Sequence, residues 1–297
     1  MIRKGAGRLL YIVLFATSLA AHGADTLPMS TVFKGDDKFE AVKRRAVIED
    51  WASYPIGQRV AIAGRALLNT RYKGYTLEID NHIEAPSVNF TGLDCWTFFE
   101  TSLALARMVG EPKENWTEQT LLKYIELDRY RGGQCDGTYL SRLHYLEDWY
   151  FDNSKRGLIQ DLTRELGGVR VPHSADEMSL HWRSYRYMAA NPALRAGIHA
   201  MEQRVSRMAL YQIPKSRVAA IEPQIHTGDI IGITTIDRGG IGTSHVGIAY
   251  RTQDGVLHFM HASSPSNYGR TVLDTRLSDY LHRYADDTGI MVGRPLK

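Results

Sequence analysis

The stretch Leu93-Asp94-Cys95-Trp96-Thr97-Phe98-Phe99-Glu100 joins a polar turn to a long apolar segment that continues to Val109. The segment is apolar nearly all round, which is typical of a helix buried at the centre of a protein. Asp94 precedes the apolar run, where a carboxylate caps the free N–H groups of a helix start. Cys95 is therefore predicted to begin a buried helix, whose N-terminus lowers a thiol pKa and stabilises an oxyanion.

Helical patterns dominate the first two thirds of the chain. Residues 38–68 read as two helices with a break at Pro55-Ile56-Gly57. Further helices are predicted over 118–131, 141–150 and 192–208. The last of these has Pro192 at its first turn, where proline is tolerated.

The last third of the chain changes to short β-rich runs separated by Gly, Asp and Pro turns. Strands are predicted over residues 229–236, 245–250, 256–261, 270–273 and 290–292. Helices followed by consecutive antiparallel strands indicate an α+β fold, with the Cys95 helix packed on a C-terminal antiparallel sheet. We find no internal repeat or linker and expect one domain over residues 24–297.

Two histidines fall on neighbouring predicted strands, in Ser244-His245-Val246-Gly247 and Phe259-Met260-His261-Ala262-Ser263. A hairpin turn centred near Gln253 would place His245 opposite His261, with both rings on one face of the sheet. His258 would then point to the other face, because strand side chains alternate.

These residue types suggest a nucleophilic hydrolase. Cys95 would be the nucleophile, His245 the base that takes its proton, and His261 the group that orients His245. The backbone N–H of Cys95 would contribute to an oxyanion hole, while Asp94 caps the helix and does not react. The alternative for either histidine alone is an ordinary strand residue.

Residues 1–23 have the pattern of a secretory signal peptide. Arg3, Lys4 and Arg8 precede an apolar run, and Ala21-His22-Gly23 resembles a cleavage site. The run is too short to span a bilayer, and no cysteine near the cleavage site suggests a lipid anchor. We therefore expect a periplasmic or secreted protein with no membrane insertion after cleavage.

The net charge of the whole chain is +3, from 36 Lys and Arg against 33 Asp and Glu. The predicted signal peptide holds three of the basic residues and no acid, so its removal leaves a charge of zero. Nothing in the overall charge then points to nucleic acid as a partner.

Several motifs together resemble the N-acetylmuramoyl-L-alanine amidase-like family of NlpC-type, papain-like cysteine hydrolases. The resemblance covers roughly residues 45–280 in consistent order. The motifs that carry it are Leu93-Asp94-Cys95-x-Thr97-Phe98-x-Glu100, Tyr130-Arg131-x-Gly133, Ser141-Arg142-Leu143-His144-Tyr145, Gly228-Asp229-Ile230-Ile231, Thr234-Thr235, Ser244-His245-Val246-Gly247 and His261-Ala262-Ser263-Ser264.

The resemblance implies a peptidoglycan amidase that cuts between N-acetylmuramic acid and L-alanine, acts on small muropeptides including anhydro sugars, and needs no cofactor. It maps a Cys-His-His triad onto Cys95, His245 and His261, and it implies that Tyr72 helps to hold the substrate carbonyl. The family usually has Gly-Leu-Asp before Ser-His, whereas this chain has Gly240-Ile241-Gly242-Thr243. An acidic residue near the rim of the site is thus missing, which affects the expected substrate preference.

Arg131, Arg142 and His144 lie close in sequence to Cys135. One interpretation places them at the substrate, where an arginine could bind a stem-peptide carboxylate through two hydrogen bonds. The other makes them a solvated helix end with ordinary ion pairs.

Three alternatives stay open. The same triad could cut within the stem peptide as a γ-D-glutamyl endopeptidase. A disulfide between Cys95 and Cys135 would instead make a non-catalytic cell-wall binding protein. Zinc binding by His173, His245, His258 and His261 is disfavoured, because no His-Glu-x-x-His or paired-cysteine spacing is present.

Overall fold

A computed structural model describes residues 27–237 and 239–296. The predicted signal peptide, residues 1–23, lies outside the described residues. None of the described helices is both long and apolar enough to cross a bilayer.

Helices are the main regular structure of the described chain up to Ile221. The α-helices are α1 (Met29–Val32), α2 (Asp36–Ile48), α3 (Ile56–Ala66), α4 (Cys95–Met108), α5 (Glu118–Arg129), α6 (Leu146–Lys155), α7 (Glu177–Leu180), α8 (Arg186–Ala190), α9 (Leu194–Ser206), α10 (Lys215–Ile221) and α11 (Leu277–His282). The predicted break between α2 and α3 is confirmed, because α3 begins directly after Pro55.

The strands concentrate in the last third of the chain. They are β1 (Phe33–Lys34), β2 (Val88–Asn89), β3 (Ile159–Asp161), β4 (Val169–Val171), β5 (Leu210–Pro214), β6 (Ile230–Asp237), β7 (Gly240–Arg251), β8 (Leu257–Ala262), β9 (Thr271–Arg276) and β10 (Asp287–Pro295). The expected combination of helices with an antiparallel sheet is confirmed.

One predicted helix, over 141–150, is wrong at its start. The structure has a 3-10 turn at Tyr139–Ser141 and begins α6 only at Leu146. The residues between them are extended because the Leu143 N–H donates to the Arg129 carbonyl, and Tyr130 bridges Arg142. Long-range backbone pairing thus replaces the first helical turn.

The main sheet has eight strands, seven of them in the order β4-β5-β10-β6-β7-β8-β9, while β3 also pairs with β10. All of its pairings are antiparallel. The strand predicted over 290–292 is the central part of β10, which pairs with β5 and with β6. The last strand of the chain therefore lies inside the sheet. Strands β3, β4 and β5 have no counterpart in the sequence prediction.

The β7–β8 hairpin differs from its predicted register. Tyr250 pairs with His258 and Ile248 with Met260, so His245 is not directly opposite His261. The turn is centred one residue later than Gln253, where the Gly255 N–H donates to the Thr252 carbonyl. A one-residue shift of the turn moves every partner by two positions, and the two rings therefore stay on the same face.

Helix α4 is the buried centre of the molecule, as its apolar sequence predicts. It packs against α3, α5, β7 and β8. Burial of each large apolar side chain, such as Phe98 or Leu103, contributes about 1.5–3 kcal/mol. Its buried Glu100 accepts a hydrogen bond from Arg129 at 2.8 Å, and removing one partner of such a pair costs about 3–5 kcal/mol. This packing holds the N-terminus of α4 against the sheet.

Candidate active site

A cleft of about 630 Å³ lies where the N-terminus of α4 meets β6 and β7. Its lining includes the residues predicted to be catalytic from both halves of the chain, Cys95 and His245. The segment between β4 and α8 contributes another wall, through residues such as Ser174, Met178 and Tyr185.

Cys95 is the first residue of α4 and Asp94 is its N-cap, as predicted. The Asp94 carboxylate accepts a hydrogen bond from the Thr97 N–H at 2.8 Å, and the Thr97 hydroxyl lies 3.0 Å from the Asp94 nitrogen. This reciprocal capping box fixes the start of the helix. The half-buried thiol is thereby held at one place on the cleft wall.

The environment of the thiol raises its pKa, contrary to the sequence expectation. Burial and the Asp94 carboxylate raise the pKa of Cys95 to about 12, although the backbone N–H groups of Val246, Trp96 and Cys95 act to lower it. The helix start thus acts in the expected direction but is outweighed by burial. Contact with the Val246 N–H places the sulfur beside β7.

The two predicted histidines do meet. Nε2 of His245 lies 2.7 Å from Nδ1 of His261, and the rings are perpendicular at 4.8 Å between centroids. Burial, with a smaller contribution from His261, lowers the pKa of His245 to about 3. His245 is therefore neutral at neutral pH and can accept a proton.

Asp274 is a residue of this site that the sequence analysis missed. Its Oδ2 lies 3.3 Å from Nε2 of His261, and its Oδ1 accepts a hydrogen bond from Arg283 at 2.9 Å. The predicted strand 270–273 ended three residues before the end of β9 at Arg276 and so left out Asp274. Val272 of β9 pairs with His261 of β8. Asp274 lies two residues after Val272, so a longer predicted strand would have placed its side chain on the same face as His261.

Aromatic rings enclose the histidine pair. Phe259 stacks on His261 at 4.7 Å, and Tyr280 contacts the same ring edge-on at 5.1 Å. The buried ring of His261 is only 2% exposed. The two histidines thus lie in a region of low polarity, where the hydrogen bond between their rings is stronger than it would be in water.

Tyr72 lies in the same cleft, where the resemblance had placed it. An isolated β-bridge to Leu93 brings it alongside the turn before α4. Burial raises the pKa of Tyr72 to about 12, and the charge that Cys95 carries when it is ionised makes a smaller contribution in the same direction. Its hydroxyl therefore remains protonated and can donate a hydrogen bond near the sulfur.

Besides Tyr72, the other three residues predicted to bind substrate occupy different positions. Arg131 is not among the residues that line the cleft; it pairs with Asp148 at 2.5 Å. Arg142 does line the cleft, but its guanidinium contacts Glu78 at 2.9 Å and Glu84 at 3.5 Å. The structure thus brings Arg142 to the site with its charge already matched by two carboxylates.

His144 lines the cleft close to Arg142. Its Nε2 donates to the carbonyl of Tyr139 at 2.8 Å. Burial and the neighbouring Arg142 hold the pKa of His144 well below its usual value. It therefore presents a neutral ring to this end of the cleft.

Neither cysteine forms a disulfide. Cys135 is half-buried away from the cleft lining, and its sulfur lies 3.5 Å from the Glu84 carbonyl. The structure therefore does not contain the Cys95–Cys135 bond on which the non-catalytic alternative depended.

The four histidines considered as zinc ligands do not form a cluster. His258 bonds the Asp274 carbonyl at 2.7 Å, and His173 bonds the Ile241 carbonyl at 3.0 Å. Within residues 27–237 and 239–296, no three His, Cys, Asp or Glu side chains are arranged to hold a metal ion.

Replacing Asp94 tests the capping box. We expect Asp94→Ala to lower the free energy of unfolding by about 1 kcal/mol, because the Thr97 N–H loses its acceptor. Asp94→Asn should lower the free energy of unfolding by no more than about half of that amount, since an amide oxygen also caps a helix. Urea denaturation of both variants measures the difference. Equal losses would assign the effect to charge and contradict a role for the cap.

The raised thiol pKa predicts how Cys95 reacts with iodoacetamide. Because only the thiolate is alkylated, the rate should rise about tenfold per pH unit between roughly pH 6 and pH 10, well below the pKa of about 12. The measurement uses the Cys135→Ala protein, in which Cys95 is the remaining thiol. A rate that is constant across neutral pH would show a preformed thiolate–imidazolium pair and refute the expectation.

A family model and several solved structures resemble this chain. The family model described as AmiA-like, N-acetylmuramoyl-L-alanine amidase-like, matches residues 62–290. A search of the curated proteins finds no match.

Solved structures with the same fold come from Bacteroides and Legionella. An N-acetylmuramoyl-L-alanine amidase from Bacteroides uniformis is 32% identical with a TM-score of 0.73, and the alignment covers 82% of this chain and 99% of that one. A Bacteroides fragilis protein, named as a xylanase candidate, is 34% identical with a TM-score of 0.70 over 78% and 99% of the two chains. A Legionella pneumophila protein, 20% identical with a TM-score of 0.66 over 88% and 95% of the two chains, shares the fold. This chain belongs to the N-acetylmuramoyl-L-alanine amidase-like family.

Proposed function

We propose that this protein is a papain-like, NlpC-type cysteine amidase that hydrolyses the amide between N-acetylmuramic acid and L-alanine in peptidoglycan fragments. The observation that carries the proposal is the meeting of two halves of the chain at one cleft. Cys95 begins α4 on one wall, and His245, hydrogen-bonded to His261, lies on the other. A thiol and an imidazole that line one cleft, with a third group that orients the imidazole, are the parts that nucleophilic catalysis requires.

The proposed reaction proceeds through an acyl-enzyme. The Cys95 sulfur attacks the lactyl carbonyl carbon while the thiol proton passes to His245. The resulting imidazolium gives that proton to the nitrogen of L-alanine, and the carbon–nitrogen bond breaks. Water, deprotonated by His245, then attacks the thioester and releases the muramic carboxylate. The neutral states of both residues support proton transfer during the attack rather than before it.

Two donors are available for the negative charge that develops on the carbonyl oxygen. One is the backbone N–H of Cys95 at the start of α4, where the field of the helix also favours an anion. The other is the hydroxyl of Tyr72, which remains protonated beside the sulfur. Loss of one donor in an oxyanion hole typically reduces kcat by about 10²- to 10³-fold.

The size of the cleft supports a fragment as substrate rather than the intact polymer. A volume of about 630 Å³ falls in the range of sites that enclose one small molecule. Tyr75 and Tyr185 line one end, and their rings can pack on the apolar faces of a sugar. We include the 1,6-anhydro form of the muramic acid among the proposed substrates.

We further propose that the enzyme acts in the periplasm or after secretion, because residues 1–23 have the pattern of a cleavable signal peptide. Peptidoglycan fragments are present in that compartment. Detection of a mature chain starting near Ala24 in a periplasmic fraction would test this placement, and an uncleaved cytoplasmic chain would contradict it.

Digestion of defined muropeptides tests the activity. The purified protein is incubated with disaccharide-peptides that carry either a reducing or an anhydro muramic acid, and the products are identified by mass spectrometry. We expect free disaccharide and an intact stem peptide beginning with L-alanine. Cleavage after D-glutamate would instead establish the γ-D-glutamyl endopeptidase alternative. Absence of any cleavage, with two titratable thiols, would overturn the enzyme proposal.

A further inference from the structure

The series of hydrogen bonds that joins His245 to His261 continues beyond His261. The second ring nitrogen of His261, Nε2, faces the Asp274 carboxylate at 3.3 Å, and both side chains are only 2% exposed. Asp274 in turn accepts hydrogen bonds on Oδ1 from Arg283 at 2.9 Å and from the Thr275 N–H at 2.6 Å. A continuous series of polar contacts therefore leads from an arginine to the ring of His245.

The chemistry of these contacts determines which nitrogens carry protons. An ionised carboxylate can only accept, so Nε2 of His261 must carry a hydrogen. When Nδ1 of His261 carries no proton it is an acceptor, and Nε2 of His245, at 2.7 Å, is then the donor to it. Nδ1 of His245 remains without a hydrogen, and it is the nitrogen that can accept a proton in the cleft.

The carboxylate is held in its ionised form. The hydrogen bonds from His261, Thr275 and Arg283, together with the charge of Arg283, lower the pKa of Asp274 to about 2 despite its burial. Arg283 also donates to the Thr275 hydroxyl at 2.6 Å, which fixes the guanidinium beside the carboxylate. Three other titratable or charged side chains contact these groups. Tyr280 lies beside both rings, Arg283 binds the Asp274 carboxylate, and His258 binds the Asp274 carbonyl.

We propose that Asp274, held by Arg283, is a positioning residue that sets the tautomers of both histidines and so makes Nδ1 of His245 the base for Cys95. The role rests on the proposed amidase reaction. In the step concerned, the Sγ–H bond breaks and an Nδ1–H bond forms on His245. Nε2 of His245 keeps its hydrogen bond to His261, and no proton passes to Asp274.

The variant Asp274→Asn tests the role, because an amide can donate to Nε2 of His261 and reverse both tautomers. We expect kcat to fall roughly 10²- to 10⁴-fold with KM within about threefold, as is typical when the third member of a triad loses its charge. Asp254→Asn, in the exposed β7–β8 turn, is the matched control and should retain full activity. Turnover is expressed per folded molecule, with the folded fraction taken from circular dichroism.

A ring-nitrogen NMR measurement distinguishes positioning from a purely structural effect. In the ¹⁵N-labelled wild type we expect Nε2 of His245 and of His261 to be protonated and both Nδ1 atoms to be bare, with the reverse in Asp274→Asn. A folded variant with wild-type kcat, or one whose ring nitrogens are unchanged, would overturn the role. Because NMR needs no substrate, failure of the amidase assignment would appear separately, as a wild type with the expected tautomers and no cleavage of muropeptides.

Discussion

Replacing Cys95 by alanine is expected to lower kcat for the sugar–peptide amide by at least about 10⁴-fold, because the acyl-enzyme can no longer form. The fold should persist. Alanine is the best helix former, and the half-buried thiol at the helix start contributes little packing, so the loss of unfolding free energy should stay below about 1 kcal/mol. Mass spectrometry of muropeptide digests measures the turnover, and thermal unfolding measures the stability.

Cys135→Ala is the matched control for Cys95→Ala. It removes the other thiol of the chain, which lies outside the cleft lining, and should leave kcat within about twofold. The assignment of the nucleophile would be contradicted if the Cys95 variant kept its activity or if the Cys135 variant lost it. A mass increase on Cys95 after rapid quenching, equal to the bound muramyl group, would identify the acyl-enzyme directly.

Replacing His245 by alanine should have the second largest effect, a loss of roughly 10³- to 10⁴-fold in kcat. The imidazole of His261 cannot take over, since its Nδ1 faces His245 and its Nε2 faces Asp274. Added imidazole should restore part of the activity by entering the vacated space beside Cys95 and accepting the thiol proton.

The control for this variant is His199→Gln, which replaces an exposed histidine on α9 that hydrogen-bonds Gln203. It should retain wild-type kinetics at every imidazole concentration. A His245→Ala protein that turns over at the wild-type rate would remove His245 from the mechanism. Stimulation of wild type and variant alike by imidazole would show that the added base acts elsewhere.

Local signals were sufficient to predict the start of α4. A polar cap followed by a thiol and an apolar run already specifies a helix N-terminus, and capping depends only on residues within one turn. The shared face of His245 and His261 was also predictable, because alternation along a strand has a period of two and survives the observed shift of the β7–β8 turn.

Other features of the site depend on contacts between distant parts of the chain. The role of Arg131 could not be predicted from the residues next to it in the sequence, because its ion-pair partner, Asp148, lies on α6. The extension of the histidine pair to Asp274 required the pairing of β8 with β9 and the position of Arg283 after α11. His261 and Asp274 are 13 positions apart and Asp274 and Arg283 are 9 apart, which exceeds the one-turn reach of capping rules.

The sequence by itself determined that Cys95 begins a buried helix and that His245 and His261 share one face of a hairpin, since both depend on short-range periodicity and capping. Only the tertiary structure decided the register of that hairpin, the place of Asp274 beside His261 and the raised pKa of the thiol. The physical reason is that register, desolvation and ion pairing arise from how distant elements pack together, and burial can reverse what a helix start alone would do to a thiol.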